Sequence, residues 1–163
     1  MSTAVLSIGS NMGDRLAHLQ GAVDGMRAWV VGVSPVFETA PWGPVPQDDF
    51  LNAVLLVSDP DAAPTDWLAR AHDAEQAAGR TREVRWGPRT LDVDVVTVDD
   101  VRSDDPVLTL PHPRAAQRAF VLLPWLAVDE RARLAGTAVS ELIAQLDADE
   151  VAGVRWRSDL VLQ

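Results

Sequence analysis

The chain has 163 residues, 47% of them apolar, so it can bury the core of one domain. Its net charge of −10 argues against a nucleic-acid-binding protein, which normally carries a basic face. No apolar stretch reaches the roughly 18 residues of a transmembrane helix, and no basic segment precedes an apolar run at the N-terminus. The absence of cysteine excludes disulfides and a thiolate nucleophile. We expect one domain over residues 1–163, cytoplasmic and monomeric, that binds neither a membrane nor nucleic acid.

The first part of the chain predicts two strands with a helix between them. An apolar run at residues 5–8 stops at a glycine, which indicates a buried strand and a turn. Asp14 is a candidate helix N-cap, and apolar residues at helical spacing then predict a helix over 15–29. Valines within 31–37 indicate a second strand. Residues 40–46 hold three prolines and a glycine and therefore predict a loop.

The middle of the chain predicts a strand, a helix and a further strand. Residues 50–57 are strongly β-prone, and 61–78 predict a helix that ends at Gly79. Residues 91–95 alternate between apolar side chains and aspartates, which predicts a strand with one buried face. A turn is expected at 99–100, where two aspartates follow each other.

The last part predicts a helix over 115–127 that breaks at Pro124, a short helix over 139–146 and a closing strand over 151–156. Helices separated by strands, several of them antiparallel, favour the α+β class. We therefore expect a central, mostly antiparallel sheet with helices packed on it.

All fourteen basic residues are arginines, and the absence of lysine excludes a Walker-type phosphate loop and a Schiff-base lysine. Four arginines fall within ten residues: Arg80, Arg82, Arg85 and Arg89. Such a cluster on an acidic chain favours phosphate binding, because a guanidinium group can donate two parallel hydrogen bonds to a phosphate. A solvated loop is the alternative. We expect residues 79–88 to form a mobile lid that closes over bound phosphates.

Asp92 and Asp94 are the most informative acidic residues. Residues i and i+2 of a strand point to the same face, so both carboxylates lie opposite the apolar side chains of 91, 93 and 95. Paired carboxylates suit Mg²⁺, which prefers oxygen ligands and is often shared with substrate phosphates. A half-exposed strand with an acidic face is the alternative, but the neighbouring arginines favour phosphoryl-type transfer from a nucleotide.

Residues 85–95 closely resemble the signature of the hydroxymethyldihydropterin pyrophosphokinase family. The resemblance covers about residues 4–126 in order and spacing. The other matching segments are residues 9–11, 13–15, 39–44, 50–52, 111–114 and 118–120. No motif of the family matches the last 37 residues.

The resemblance implies a ferredoxin-like α/β sandwich and an enzyme of folate biosynthesis. Such an enzyme transfers the β,γ-pyrophosphoryl group of ATP to the hydroxymethyl oxygen of 6-hydroxymethyl-7,8-dihydropterin and releases AMP. The resemblance implies two Mg²⁺ ions held by Asp92 and Asp94, and it makes Arg80, Arg82 and Arg89 catalytic together with these aspartates.

The resemblance also implies two substrate sites. Phe50 and Phe120 stack on the pterin, and the other implied pterin-binding residues are Thr39, Pro41, Trp42 and Asn52. The implied ATP-binding residues are Glu75, Arg82, Trp86, Arg89, Val95, Thr109, His112 and Arg118.

Two other functions would also use some of these residues. A metal-dependent sugar transferase also uses an Asp-x-Asp pair, but it needs a nucleotide-sugar domain, for which this chain is too short. A non-catalytic nucleotide-binding module would have lost the carboxylates or the arginines, and the chain retains both.

Overall fold

The computed structural model describes residues 2–41, 44–79 and 90–163, and a six-stranded antiparallel sheet lies at the centre of this part of the chain. The strands of the fold are β1 (Ser2–Ser10), β2 (Val30–Val33), β3 (Phe37–Thr39), β4 (Phe50–Asp59), β5 (Asp92–Val98), β6 (Arg133–Leu134), β7 (Thr137–Ala138) and β8 (Arg155–Trp156). The sheet order is β5-β1-β4-β3-β8, β2 also pairs with β4, and β6 and β7 form a separate hairpin. The expected α+β class is confirmed.

Helices cover both faces of the sheet. They are α1 (Arg15–Gly25), α2 (Pro64–Ala77), α3 (Ala119–Val128), α4 (Val139–Ala144) and α5 (Ala148–Ala152). The first core lies under α1 and α2, where β1 contributes Leu6 and Ile8. The second core lies under α3 and α4, where β1 contributes Val5. Because β1 is buried on both faces, its sequence is apolar without strict alternation. No helix among the described residues is long and apolar enough to cross a membrane.

Two of the predicted helix ends agree closely with the structure. The Asp14 Oδ1 atom accepts a hydrogen bond from the Ala17 backbone N–H at 3.1 Å and caps α1, as expected. Gly79 follows α2 with a φ of +73°, a left-handed conformation that favours glycine. The predicted end of α1 at residue 29 is wrong. The helix ends at Gly25, and a turn closed by the Trp29 N–H and the Met26 carbonyl leads into β2.

The strand predicted within residues 31–37 is two strands, β2 and β3. Pro35 interrupts it because proline has no backbone N–H to donate to a neighbouring strand. The Ser34 hydroxyl accepts a hydrogen bond from the Val54 N–H at 2.8 Å, so a side chain satisfies this β4 amide where the strand breaks. The strand predicted over 151–156 is also mostly wrong, since Val151 lies in α5 and only Arg155–Trp156 pairs with β3.

The predicted break at Pro124 is wrong, because α3 continues through this residue. Proline removes the hydrogen bond to the Phe120 carbonyl and costs roughly 3 kcal/mol in a helix interior. The side chains of Val121, Leu122 and Trp125 are buried in the second core. Burying such side chains stabilises a fold by roughly 1.5–3 kcal/mol each, so packing outweighs the lost bond.

Candidate active site

Strand register places four residues in a row across one face of the sheet. Asp92 of β5 lies opposite Gly9 of β1, Gly9 lies opposite Asn52 of β4, and Asn52 lies opposite Phe37 of β3. Residues directly opposite each other in antiparallel strands point to the same face. The next pair along these strands, Ser7 and Val54, shows that this is the face covered by α3, because Val54 belongs to the second core. Asp92 and Asn52 are two strand spacings apart, about 10 Å.

Gly9 keeps the centre of this row free of a side chain. A Cβ atom at Gly9 would lie 3.0 Å from Asn52 Oδ1 and 3.5 Å from Phe50 Cδ1. A contact of 3.0 Å is tighter than nearly all real Cβ contacts, so a side chain at this position would displace the Asn52 amide. The result is a shallow floor bounded by Asp92, the Asn52 amide and the edge of the Phe50 ring.

The polar side of this floor is fixed by a buried hydrogen bond. Asn52 and Thr39 are both buried, and the Asn52 Nδ2 atom donates to Thr39 Oγ1 at 2.9 Å. This bond sets the orientation of the Asn52 amide, so that its Oδ1 atom points toward Gly9. Phe50 lies opposite Thr39, at the start of β4. Three residues expected in the pterin site, Thr39, Phe50 and Asn52, thus lie near one another on β3 and β4. Pro41, also expected there, lies two residues beyond the end of β3.

The two aspartates occupy the positions that the sequence predicted. Asp92 and Asp94 are half-buried on the α3 side of β5, and Val93 and Val95 are buried in the first core. One Arg118 Nη1 atom lies 3.6 Å from Asp94 Oδ2. Among the described residues no group of three His, Cys, Asp or Glu residues could hold a metal ion. Two half-buried carboxylates fit a Mg²⁺ site that takes its other ligands from substrate phosphates and water.

Arg118 and Phe120 bring the start of α3 to the carboxylates. The Arg118 guanidinium carbon lies 5.5 Å from the centre of the Phe120 ring. Arg118 is half-buried between Phe120 and Asp94, so the positive charge and the ring approach the site from the same side. Phe120 and Phe50 are therefore contributed by different layers of the fold, the first by a helix and the second by the sheet.

His112 lies beside the C-terminal half of β5, and its imidazole is neutral. Its backbone N–H donates to the Val96 carbonyl at 2.8 Å, and its Nδ1 atom accepts from the Arg114 N–H at 3.2 Å. Burial lowers the pKa of His112, and the charges of Arg118 and Arg114 lower it further against the opposing charge of Asp92. Because Nδ1 is an acceptor, the proton of the neutral ring is on Nε2, which is then a donor.

Glu75 contacts the aspartate strand from α2. Its side chain is buried, and its Oε2 atom accepts a hydrogen bond from the Val93 N–H at 3.0 Å. Within the described part of the sheet β5 is the outermost strand, so this amide has no strand partner there on its outer side. The bond joins α2 to the residue between Asp92 and Asp94. Sequence reasoning gave Glu75 an ATP-binding role and did not indicate this contact.

Of the remaining residues expected in the two substrate sites, the structure describes only some. Thr109 lies in the turn before His112, where its hydroxyl donates to the Asp105 carbonyl at 3.0 Å. Val95 presents its side chain to the first core, so only its backbone faces the edge of the sheet. Five predicted site residues lie outside the described residues: Trp42, Arg80, Arg82, Trp86 and Arg89. The predicted lid at 79–88 lies outside them as well, except for Gly79.

Sequence reasoning placed Gly9 in a turn after the first strand and gave Phe37 no site role, although both belong to the row. The predicted turn at Gly9 is wrong, because β1 continues to Ser10. A glycine inside an otherwise apolar strand is a signal of close approach, and it could have indicated Gly9. Phe37 carries no such signal, because its place in the row depends on the register between β3 and β4.

Paired carboxylates on one strand with an arginine beside them are typical of enzymes that transfer phosphoryl groups. Residues 5–130 match the family described as 7,8-dihydro-6-hydroxymethylpterin-pyrophosphokinase. The chain belongs to this family and is an enzyme, which confirms the expectation from the sequence.

Curated relatives agree with this assignment. The 2-amino-4-hydroxy-6-hydroxymethyldihydropteridine pyrophosphokinase of Mycobacterium leprae is 52% identical, over 95% of this chain and 88% of the relative. The protein of the same name from Mycobacterium bovis is 47% identical, over 95% of this chain and 89% of the relative.

A solved structure supports the fold alone. Plasmodium falciparum HPPK-DHPS superimposes with a TM-score of 0.68 at 12% sequence identity and covers 88% of this chain. This chain spans only 44% of that protein's length.

The space above Gly9 predicts that a side chain introduced at this position will obstruct the site. Gly9→Ala places a methyl group 3.0 Å from Asn52 Oδ1, so the amide must move away from its position on the floor. We expect kcat/KM for the pterin substrate to fall by about 100-fold, as small displacements in a site can cause. Gly21→Ala is the control, because a Cβ there meets nothing within 4 Å. Normal steady-state kinetics in Gly9→Ala would contradict the assignment of the floor.

The Glu75 contact predicts a loss of stability and of activity together. Glu75→Ala leaves the Val93 N–H buried without its acceptor, which costs roughly 1–3 kcal/mol in the free energy of unfolding. We expect lower turnover because Asp92 and Asp94 flank Val93. Glu75→Gln keeps an oxygen acceptor and should recover most of both quantities, measured by urea denaturation and by turnover. Gln76→Ala, at an exposed neighbouring position, should change neither.

Proposed function

We propose that this chain transfers the β,γ-pyrophosphoryl group of ATP to the hydroxyl of 6-hydroxymethyl-7,8-dihydropterin and releases AMP, a step of folate biosynthesis. Membership of the pyrophosphokinase family and the names of the curated relatives support this proposal. The observation that carries it is the row from Asp92 through Gly9 to Asn52, with paired carboxylates and Arg118 at one end and a fixed amide at the other.

The pterin is proposed to lie on the Gly9 floor between Phe50 and Phe120. Stacking on aromatic rings suits a flat heterocycle and contributes about 0.5–1.5 kcal/mol per pair beyond the burial of area. The amide of Asn52 and the hydroxyl of Thr39 offer both donors and acceptors to the polar edge of the pterin. Loop groups at Pro41 and Trp42 are proposed to complete this side.

The triphosphate is proposed to lie at the opposite end of the row. Asp92 and Asp94 would hold two Mg²⁺ ions, which neutralise phosphate charge when bound. Arg118 adds a fixed positive charge near Asp94, and Arg80, Arg82 and Arg89 are proposed to supply further guanidinium groups. Two repelling carboxylates and an arginine beside them favour a ligand that carries both cations and negatively charged oxygens.

The nucleoside is proposed to bind along the outer edge of β5. His112 presents its Nε2–H as a neutral donor, and the Val95 backbone faces the sheet edge next to the Val93 amide held by Glu75. Backbone groups at such an edge pair readily with a planar heterocycle or another strand. Thr109 and Trp86 are proposed to contribute to the same side.

In the proposed reaction the protein supplies position and electrostatics. The hydroxymethyl oxygen forms a bond to the β-phosphorus as the bond to the α–β bridging oxygen breaks, and the hydroxyl proton is released. A hydroxyl is a poor nucleophile, so in-line alignment and the neutralisation of charge on the phosphoryl oxygens supply most of the rate. The rigid row aligns the two substrates because β5, β1 and β4 are hydrogen-bonded neighbours.

Product analysis tests the proposed reaction directly. The protein is incubated with ATP, Mg²⁺ and hydroxymethyldihydropterin, and the nucleotide products are separated by chromatography. We expect AMP rather than ADP, and we expect it to form only when the pterin is present. Asp92→Ala should reduce turnover by about 1,000-fold or more, because electrostatic stabilisation usually contributes more to catalysis of this kind than any other effect. Asp100→Ala, an exposed aspartate beyond β5, is the control and should retain normal activity. Formation of ADP, or full activity in Asp92→Ala, would contradict the proposal.

The proposed stacking of the pterin between Phe50 and Phe120 predicts a selective loss of pterin binding. Phe120→Ala should weaken pterin binding far more than ATP binding, because only the pterin stacks on this ring. Leu126→Ala removes a partly buried side chain from the same helix and core and controls for a general packing defect. Calorimetric titration of both ligands distinguishes the two effects. Equal losses for pterin and ATP in Phe120→Ala would show that the ring only packs.

A further inference from the structure

Three arginines converge on the Glu38 carboxylate in β3. Arg15 Nη1 lies 2.6 Å from Glu38 Oε2, and Arg157 Nη1 and Arg155 Nη2 lie 3.2 and 3.3 Å from Oε1. The Glu38 side chain is only 13% exposed. Burial opposes ionisation of Glu38, but the hydrogen bond and charge of Arg15 and the charges of Arg157 and Arg155 hold its pKa below the ordinary value. The carboxylate is therefore charged at neutral pH.

Two of these arginines come from a segment that follows the family match, which ends at residue 130. In β8, Arg155 lies opposite Glu38 and Trp156 lies opposite Phe37. The Arg157 N–H then donates to the Val36 carbonyl at 2.8 Å. Residues 155–157 thus extend the sheet beside β3, on the side away from β4.

The same cluster reaches the loop that precedes Phe50. Arg155 Nη2 lies 3.0 Å from Asp49 Oδ2, and Arg15 Nη1 donates to the Asp49 carbonyl at 3.0 Å. Phe50 follows Asp49 directly in the chain. Arg155 thus contacts both β3 and the residue next to Phe50.

The cluster also adjoins the buried polar pair of the site. Glu38 lies between Phe37, which belongs to the row, and Thr39, which accepts the Asn52 hydrogen bond. A shift of Glu38 along β3 therefore moves the Thr39 hydroxyl and, through it, the Asn52 amide. Both pterin-side features described above, the Asn52 amide and the Phe50 ring, depend on chain segments that this cluster contacts.

The charges of the cluster balance. The arginines at 15, 155 and 157 face the carboxylates of Glu38, Asp49 and Asp159. Two hydrogen bonds from Arg157 lower the pKa of Asp159 to about 2, so this carboxylate is charged at neutral pH and fixes Arg157 in place. Arg155 itself is 56% exposed, and exposed ion pairs contribute little to global stability. Its removal is expected to alter local geometry without unfolding the protein.

We propose that residues 155–157 form a brace that positions the pterin site through Glu38 and Asp49. Arg155 and Arg157 are positioning residues, which act on the pterin through Thr39, Asn52 and Phe50 and do not touch it. The inference rests on the proposed function for the identity of the ligand. It assigns a role in substrate binding to a part of the chain that lies beyond the family match.

The test compares ligand affinities in arginine variants. Arg155→Ala and the double variant Arg155→Ala/Arg157→Ala are titrated with hydroxymethyldihydropterin and, separately, with ATP and Mg²⁺. We expect the Kd and KM for pterin to rise by about tenfold, the order that follows when a site is no longer preorganised. The Kd for ATP should stay within about twofold, because the phosphate end of the row lies on β5, three strands away from β3. Arg131→Ala is the matched control, since it removes an exposed arginine from the same part of the chain.

Further variants separate positioning from packing. Glu38→Gln removes the charge on which the arginines converge, so it should reproduce much of the loss of pterin affinity. Adding Arg155→Ala to it should cause a smaller loss than in the wild type, because only the Asp49 contact then remains to be removed. Thermal melting of each variant checks the fold, and the single Arg155→Ala variant decides the result if the double variant does not fold.

The outcomes distinguish this inference from the proposed function. Unchanged pterin affinity in Arg155→Ala, or equal losses for pterin and ATP, would overturn the brace while the wild-type enzyme still produced AMP. A wild-type protein that binds no pterin would overturn both the brace and the proposed function.

Discussion

The register of four antiparallel strands is the constraint on which the rest of this structure depends. A shift of one residue between β1 and either neighbour would turn every side chain of the shifted strand to the other face of the sheet. Asp92 and Asn52 would then face the first core, where α1 and α2 exclude water, and Val93 and Ala53 would face the site. Burying a carboxylate and an amide without partners costs several kcal/mol, so the two cores that fix the register also fix the site.

The electrostatics of the site follow from the placement of a few cations on an acidic chain. Arg118 lies near one aspartate of the pair, and three other arginines collect around Glu38. Burial and the Arg118 charge keep His112 neutral, so the site combines a fixed cation with an uncharged donor. Because every basic residue is an arginine, these charges persist at any pH at which the protein is folded.

The sequence predicted best what depends on local spacing. The alternation around Asp92 and Asp94 set both carboxylates on one face, and the Asp14 cap and the Gly79 helix end follow from local backbone chemistry. Motif spacing also led to the family, through residues spread over several segments. In contrast, the predicted break at Pro124 failed because tertiary burial of the flanking side chains decided the conformation.

The features that could not be predicted from the sequence depend on contacts between distant segments. The position of Phe37 in the row, the Glu75 contact with Val93 and the arginines around Glu38 all arise from pairing that no local pattern encodes. Residues 155–157 are the strongest case, because they carry no motif and their only visible feature was a short β-prone stretch. Their proposed role follows from the pairing of β8 with β3.

The long sequence separation inside the brace has a consequence for the order of folding. Arg155 and Glu38 are 117 residues apart, and Arg155 and Asp49 are 106 apart, so each contact closes a loop that includes most of the chain. The entropy lost on closing a loop rises with its length, and contacts of this kind form late and slowly. During synthesis, β1, α1, β4 and α2 leave the ribosome well before Arg155 does. The sheet and its first core can therefore assemble before β8 pairs with β3, so the arrangement of Thr39, Asn52 and Phe50 that the brace is proposed to hold would be completed late in folding.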